Sequence, residues 1–121
     1  MNKIPILMPD FEEDSNEIST QIDIPNTNNY MIFTIRYMLD GFFSYQVDYH
    51  QINRDVITHK STFLPAQYCL IPFPTYRLLI PYNIQCTTEH GQDPQGKYTF
   101  LQDTKFYLYS NDEYIKEMSA L

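Results

Sequence analysis

An all-β fold, an antiparallel β-sandwich or small barrel, is predicted by three features of the chain. Apolar residues alternate with polar ones through Met31–Tyr49, the period of a strand with one dry face. Eleven Tyr and eight Phe, with no Trp and three Gly, favour pleated, half-buried surfaces. Short apolar runs are punctuated by Pro, Gly, Asn and Asp clusters at the spacing of many short strands. An extended acidic N-terminal arm and a short C-terminal helix complete the expected architecture.

With 121 residues the chain suits one domain rather than two. A chain of this length buries about two-thirds of its unfolded surface, so folding requires neither metal nor disulfide. Residues 1–28 read as the arm and 29–121 as the β domain. The arm holds Pro5, Pro9 and Pro25 and sets Lys3 against Asp10, Glu12, Glu13, Asp14, Glu17 and Asp23, so much of the net charge of −7 sits there. Within it, Ile18, Ile22 and Ile24 fit an edge strand over Glu17–Ile24, followed by a loop at Pro25–Asn29.

The hairpin carries the strongest signal. Met31, Phe33, Ile35 and Tyr37 alternate with Ile32, Thr34 and Arg36, and Phe43, Tyr45, Val47 and Tyr49 alternate with Ser44, Gln46, Asp48 and His50. A two-residue Asp40–Gly41 turn would pair Leu39 with Phe42 and Tyr37 with Ser44, setting an apolar row beside a polar one. A three-residue loop, Leu39–Gly41, with Gly41 left-handed in a type I turn plus bulge, pairs Tyr37 with Phe43, Ile35 with Tyr45, Phe33 with Val47 and Met31 with Tyr49. Burying eight such side chains on one face is worth about 10–20 kcal/mol before entropy, far more than any turn preference, so the bulged register is expected.

Past the hairpin, Asn53–Asp55 reads as a turn and Val56–Phe63 as a short, mostly polar strand, expected at an edge or over solvent. Tyr68–Ile71 is a short apolar strand. Tyr76, Leu78, Ile80, Tyr82, Ile84 and Cys86 form one apolar row, and Pro81 on the other face, unable to donate to a ladder, marks this strand as an edge or a bulge. Residues 87–96 are polar turn formers that suit a protruding loop. Strands are expected at Lys97–Leu101 and Lys105–Tyr109, and Ser110-Asn111-Asp112-Glu113 has capping-box spacing ahead of Tyr114, Ile115, Met118 and Leu121 at helical spacing.

Chemistry-bearing residues are sparse. Asp48 and His50 share the polar face of the hairpin and could face one ion, with His59 or His90 needed as a third ligand, but a solvated strand face explains them equally. Cys86 with Glu89 and His90 places a thiol near a base, yet Cys86 ends an apolar row, where a reactive thiolate is disfavoured. The carboxylates Glu12, Glu13 and Asp14 lie in the arm, without the fixed geometry that acid–base catalysis needs. The three glycines are isolated, which excludes phosphate-binding glycine loops. No catalytic, cofactor-binding or metal residue is therefore assigned.

Net acidity argues against binding to a nucleic-acid backbone. No apolar run reaches the roughly 18–20 residues of a membrane span, and Pro5 and Pro9 break the N-terminal apolar patch, so neither a transmembrane segment nor a signal peptide is expected. That context favours reduced Cys69 and Cys86 and a cytoplasmic or virion-associated protein. The function expected is a non-enzymatic protein-interaction or structural module, such as a virion accessory protein or a host-directed inhibitor. Its protein partner, or a second copy of itself, would meet Glu12, Glu13, Asp14, Tyr107 and Tyr109, acids for a basic surface and tyrosines for contact area. The alternatives are a secreted lectin-like or membrane-targeting β-sandwich toxin component using loop 87–96, and a small hydrolase using Cys86 and His90.

Overall fold

The computed structural model describes residues 4–12, 14–39, 42–63, 68–71, 80–88, 104–110 and 112. Among them the chain is all-β, in two antiparallel sheets. The strands are β1 (Ile4–Ile6), β2 (Glu17–Asp23), β3 (Tyr30–Leu39), β4 (Phe42–His50), β5 (Ile57–Phe63), β6 (Tyr68–Ile71), β7 (Tyr82–Thr88) and β8 (Thr104–Ser110). One sheet runs β2-β3-β4-β5 as a meander, and the other runs β1-β8-β7-β6. The expected strand 97–101, the loop beyond Thr88 and the C-terminal helix lie outside the described residues, as do Asp40 and Gly41.

The hairpin register is the bulged one. Met31 pairs with Tyr49, Phe33 with Val47, Ile35 with Tyr45 and Tyr37 with Phe43. Leu39 also pairs with Phe42, and the slip falls between Tyr37 and Leu39, so Met38 is the extra residue. This corrects the expected three-residue loop, because the bulge sits inside β3 while the core pairs stay as the alternation demands. Met31, Phe33, Ile35, Phe43 and Val47 have no exposed surface, Tyr45 and Tyr49 are 2% exposed, and Tyr37 is half-buried against Phe43.

The core draws on both sheets. Ile18 and Ile22 of β2, the β3 and β4 rows, Ile84 and Cys86 of β7 and Phe106 and Leu108 of β8 form one buried cluster with Phe11, Ile24 and Ile80. Phe33 and Phe106 meet edge-on across the sheets, ring centroids 5.6 Å apart. Phe11, set among acids, was not expected in the core.

The N-terminal residues are extended and joined to both sheets. β1 pairs with β8, and β2 forms the edge beside β3 that its isoleucines predict. The Thr20 hydroxyl donates to the Leu7 carbonyl at 3.2 Å, holding the connecting segment against β2. After Ile24, Pro25 and Asn26 occupy the centre of a tight turn closed by Thr27 N to the Ile24 carbonyl at 3.3 Å. Asn26 has φ 62°, the left-handed value that a type II turn requires at its third residue, with Pro favoured before it. At the other turn, Asn53 has φ 57° and the Arg54 amide donates to the Gln51 carbonyl at 3.4 Å.

Among the described residues β5 is an edge strand, one of the two placements its polarity predicts. The expectation for Pro81 is overturned: β7 lies between β8 and β6, and Pro81 directly precedes its first residue, where no ladder bond has to be donated.

Candidate functional site

The outer face of β2-β3-β4-β5 presents registered rows of polar side chains. Because side chains alternate along a strand, the row that buries Phe33 and Val47 inside must carry Thr34, Gln46 and Asp48 outside. Glu17, Arg36, Ser44 and Thr62 form one cross-strand row, and Ser19, Thr34, Gln46 and Lys60 the next. Arg36 and Glu17 are joined at 3.0 Å in an exposed ion pair. The Ser19 and Thr34 hydroxyls lie 2.7 Å apart. Asp48 accepts from the Thr58 hydroxyl at 2.6 Å and from Gln46 Nε2 at 2.9 and 3.1 Å. Tyr30 and His50, opposed in the ladder, stack with centroids 4.5 Å apart and planes 7° from parallel.

This geometry assigns Asp48 and His50 to the sheet's own network. Asp48 spends its oxygens on neighbouring side chains, and His50 lies flat on Tyr30. His59 cannot join them: it pairs with Val47, so it stands on the inner face, where its Nε2 lies 3.1 Å from the Tyr45 hydroxyl. Burial lowers the His59 pKa below the ordinary 6.5. Among the described residues no group of three or more His, Cys, Asp or Glu is placed to hold a metal ion. Cys86 has no exposed surface, and Glu89 and His90 lie outside the described residues.

The end of hairpin β3–β4 is different in character. Met38, pushed out by the register slip, is 55% exposed, and Phe42 is 53% exposed. Beside them a shallow groove of about 420 Å³ is lined by Arg36, Met38, Ser44, Tyr45, Lys60, Ser61 and Thr62, joining an apolar lip to two cations. Neither residue stood out in the sequence. Both flank the turn, and their exposure follows from the slip, which no local pattern announces.

A second groove, of about 410 Å³, runs between residues 5–8 and β8, with Asp10, Lys105 and Tyr107 on its walls. It opens because β1 ends at Ile6, opposite Phe106, leaving the start of β8 without that neighbour. The contact residues expected from sequence are described only in part. Tyr107 is half-buried in this groove, whereas Glu12 and Asp14 are exposed in the turn leading to β2, closed by Ser15 N to the Glu12 carbonyl at 3.0 Å. Tyr109 is opposite Asn83 in the β7–β8 ladder, and Glu13 lies outside the described residues.

Among the described residues, the fold and surface define an all-β protein of two antiparallel sheets, with polar rows on one outer face and Met38 and Phe42 exposed at the end of hairpin β3–β4. No family model, no curated protein and no solved structure matches the chain. No helix among the described residues is long and apolar enough to cross a membrane.

Proposed function

We propose that this chain is a non-enzymatic interaction or structural module whose principal contact with another protein is the tip of hairpin β3–β4. The observation that carries the reading is the outward placement of Met38 and Phe42, each more than half exposed, at the end of a ladder whose inward-facing side chains are buried. Met and aromatic side chains are enriched in interface cores, and a rigid support lowers the entropy lost when they are covered. Lys60 beside the tip would meet an acidic group at the rim, while Arg36 is held by Glu17.

The shared core of the two sheets supports a β-sandwich as the supporting scaffold. Within this class, a virion accessory protein or a host-directed inhibitor suits a small acidic chain that offers a compact contact. The acidic residues Glu12 and Asp14 lie apart from this tip in sequence and would serve solubility or a second, basic contact.

The reading is tested by placing a photo-crosslinking amino acid at position 42 and, as a control, at exposed position 21 of the polar face. Discrete adducts to one protein, or to a second copy of the chain, are expected from position 42 alone and should vanish in Met38→Ser. Equal labelling from both positions would sink it.

A further inference from the structure

We propose that Cys69 and Cys86 are a redox-responsive pair that closes into a cross-strand disulfide, stapling edge strand β6 to β7. The two cysteines are directly opposed in the antiparallel β6–β7 ladder, between the pairs Tyr68 with Thr87 and Leu70 with Gln85. Opposed residues of such a ladder have Cα atoms about 4.5 or 5.5 Å apart, according to whether the pair exchanges hydrogen bonds. Both spacings fall inside the range of roughly 4.4–6.8 Å that a disulfide accepts, so the bridge requires no rearrangement of the sheet. These are the two cysteines of the chain. The register that opposes them also opposes Ile71 to Ile84, so it is fixed by more than the cysteines themselves.

Position in the sheet gives the bridge a consequence. Among the described residues, β6 is four residues long, lies at the end of the order β1-β8-β7-β6 and pairs with β7 alone. A short edge strand is among the first elements to open locally, and its opening is what would admit an oxidant to Cys86, which is fully buried in the structure. Closing the bridge fixes the strand and constrains the unfolded chain around the intervening segment.

The chemistry is exchange with a small disulfide such as oxidised glutathione. One cysteine thiolate attacks a glutathione sulfur, forming a mixed disulfide and releasing one glutathione thiolate. The second cysteine, deprotonated, then attacks the protein sulfur of that mixed disulfide and expels the second glutathione. Two protein thiols are oxidised and one glutathione disulfide is reduced to two thiols. A reducing thiol in excess reverses both steps.

The test incubates the native full-length chain with oxidised glutathione, quenches in acid, alkylates under denaturing conditions and determines intact and peptide masses. The expected product is a monomer lacking two hydrogens, with a linked peptide containing Cys69 and Cys86. It should form faster in native buffer than in denaturant, and Cys69→Ala should stop at the glutathione adduct. The bridged protein should melt at least about 5 °C above the reduced one, and amides of residues 68–71 should exchange more slowly. Retention of two alkylatable thiols, a glutathione adduct as the end point of the unmutated chain, closure only in denaturant, or an oxidised form that melts no higher would each overturn the proposal.

Discussion

The Tyr45 hydroxyl meets Nε2 of His59 at 3.1 Å, tying an aromatic residue of the core row to a histidine on the edge strand of the same sheet. Tyr45 is 2% exposed, so its oxygen requires a partner inside the protein, and His59 supplies one. The rings are tilted at 54°, with centroids 5.7 Å apart. A neutral imidazole can serve the hydroxyl as acceptor or donor, whereas the protonated ring can only donate.

Stability should therefore fall as His59 is driven to take a proton. Burial lowers its folded pKa below 6.5, so in the acidic range the unfolded chain binds more protons than the folded one at this site. The contribution is complete above the unfolded value and is lost as pH falls from about 6.5 through the lowered folded value. Urea midpoints measured between pH 7.5 and 5 should drop more steeply for the unmutated protein than for His59→Gln, which cannot titrate. Parallel pH profiles would show that the site carries no linkage.

Phe33 and Phe106 belong to different sheets and touch edge-on, which makes them a direct probe of whether the sheets share one core. Phe33→Ala should cost about 3–5 kcal/mol by urea denaturation, the range for a large buried side chain replaced by a cavity. Combined with Phe106→Ala, the loss should be smaller than the sum of the two single losses, since each variant removes the other's partner. Strict additivity would contradict the packing of these rings.

Much of the β2-β3-β4-β5 sheet was legible because its neighbours in space are neighbours in sequence. Alternation from Met31 to Tyr49 settles which side chains share a face, and Ile18 and Ile22 mark β2 in the same way. The location of the bulge was not legible. Once Tyr37 is opposite Phe43, the five residues between them can divide into loop and ladder in more than one way, and only the paired Leu39 and Phe42 decide it. Nor was the β1-β8-β7-β6 order, since nothing local in Ile4–Ile6 names residues 106–108 as its partner. Pro81 misled for a related reason, because one residue's shift in a strand boundary turns a forbidden ladder position into a permitted entry. The polar face could be foreseen as a row, but the Tyr30–His50 stack and the Asp48 network needed the cross-strand register, and His59 needed its face.

Asn26 isolates a backbone term from side-chain packing. It is exposed, and its φ of 62° is costly for residues with a branched Cβ. Asn26→Val should destabilise by about 1–2 kcal/mol, while Asn26→Gly, free to adopt the same angle, should lie within about 0.5 kcal/mol of the unmutated chain. Equal losses in both variants would mean that the Asn side chain, rather than the turn angle, is what matters.

Met38 provides the sharpest test of the hairpin. In a regular ladder closed by Leu39 and Phe42, the next pair would be Met38 with Phe43, and every residue further along β3 would change face. The observed slip prevents this by leaving Met38 opposite no residue of its own. Deleting Met38 would then place Tyr37 directly after the Leu39–Phe42 pair and opposite Phe43, with all later core pairs unchanged. The deletion should preserve cooperative unfolding and the urea slope, and remove only the bulge. Deleting Ile32, inside the regular ladder, should instead turn one side of β3 over, moving Met31 or Phe33 out of the core, and abolish the folded state. Hydrogen exchange across β3 and β4 separates the cases. A Met38 deletion that unfolds as thoroughly as the Ile32 deletion would refute the placement of the bulge.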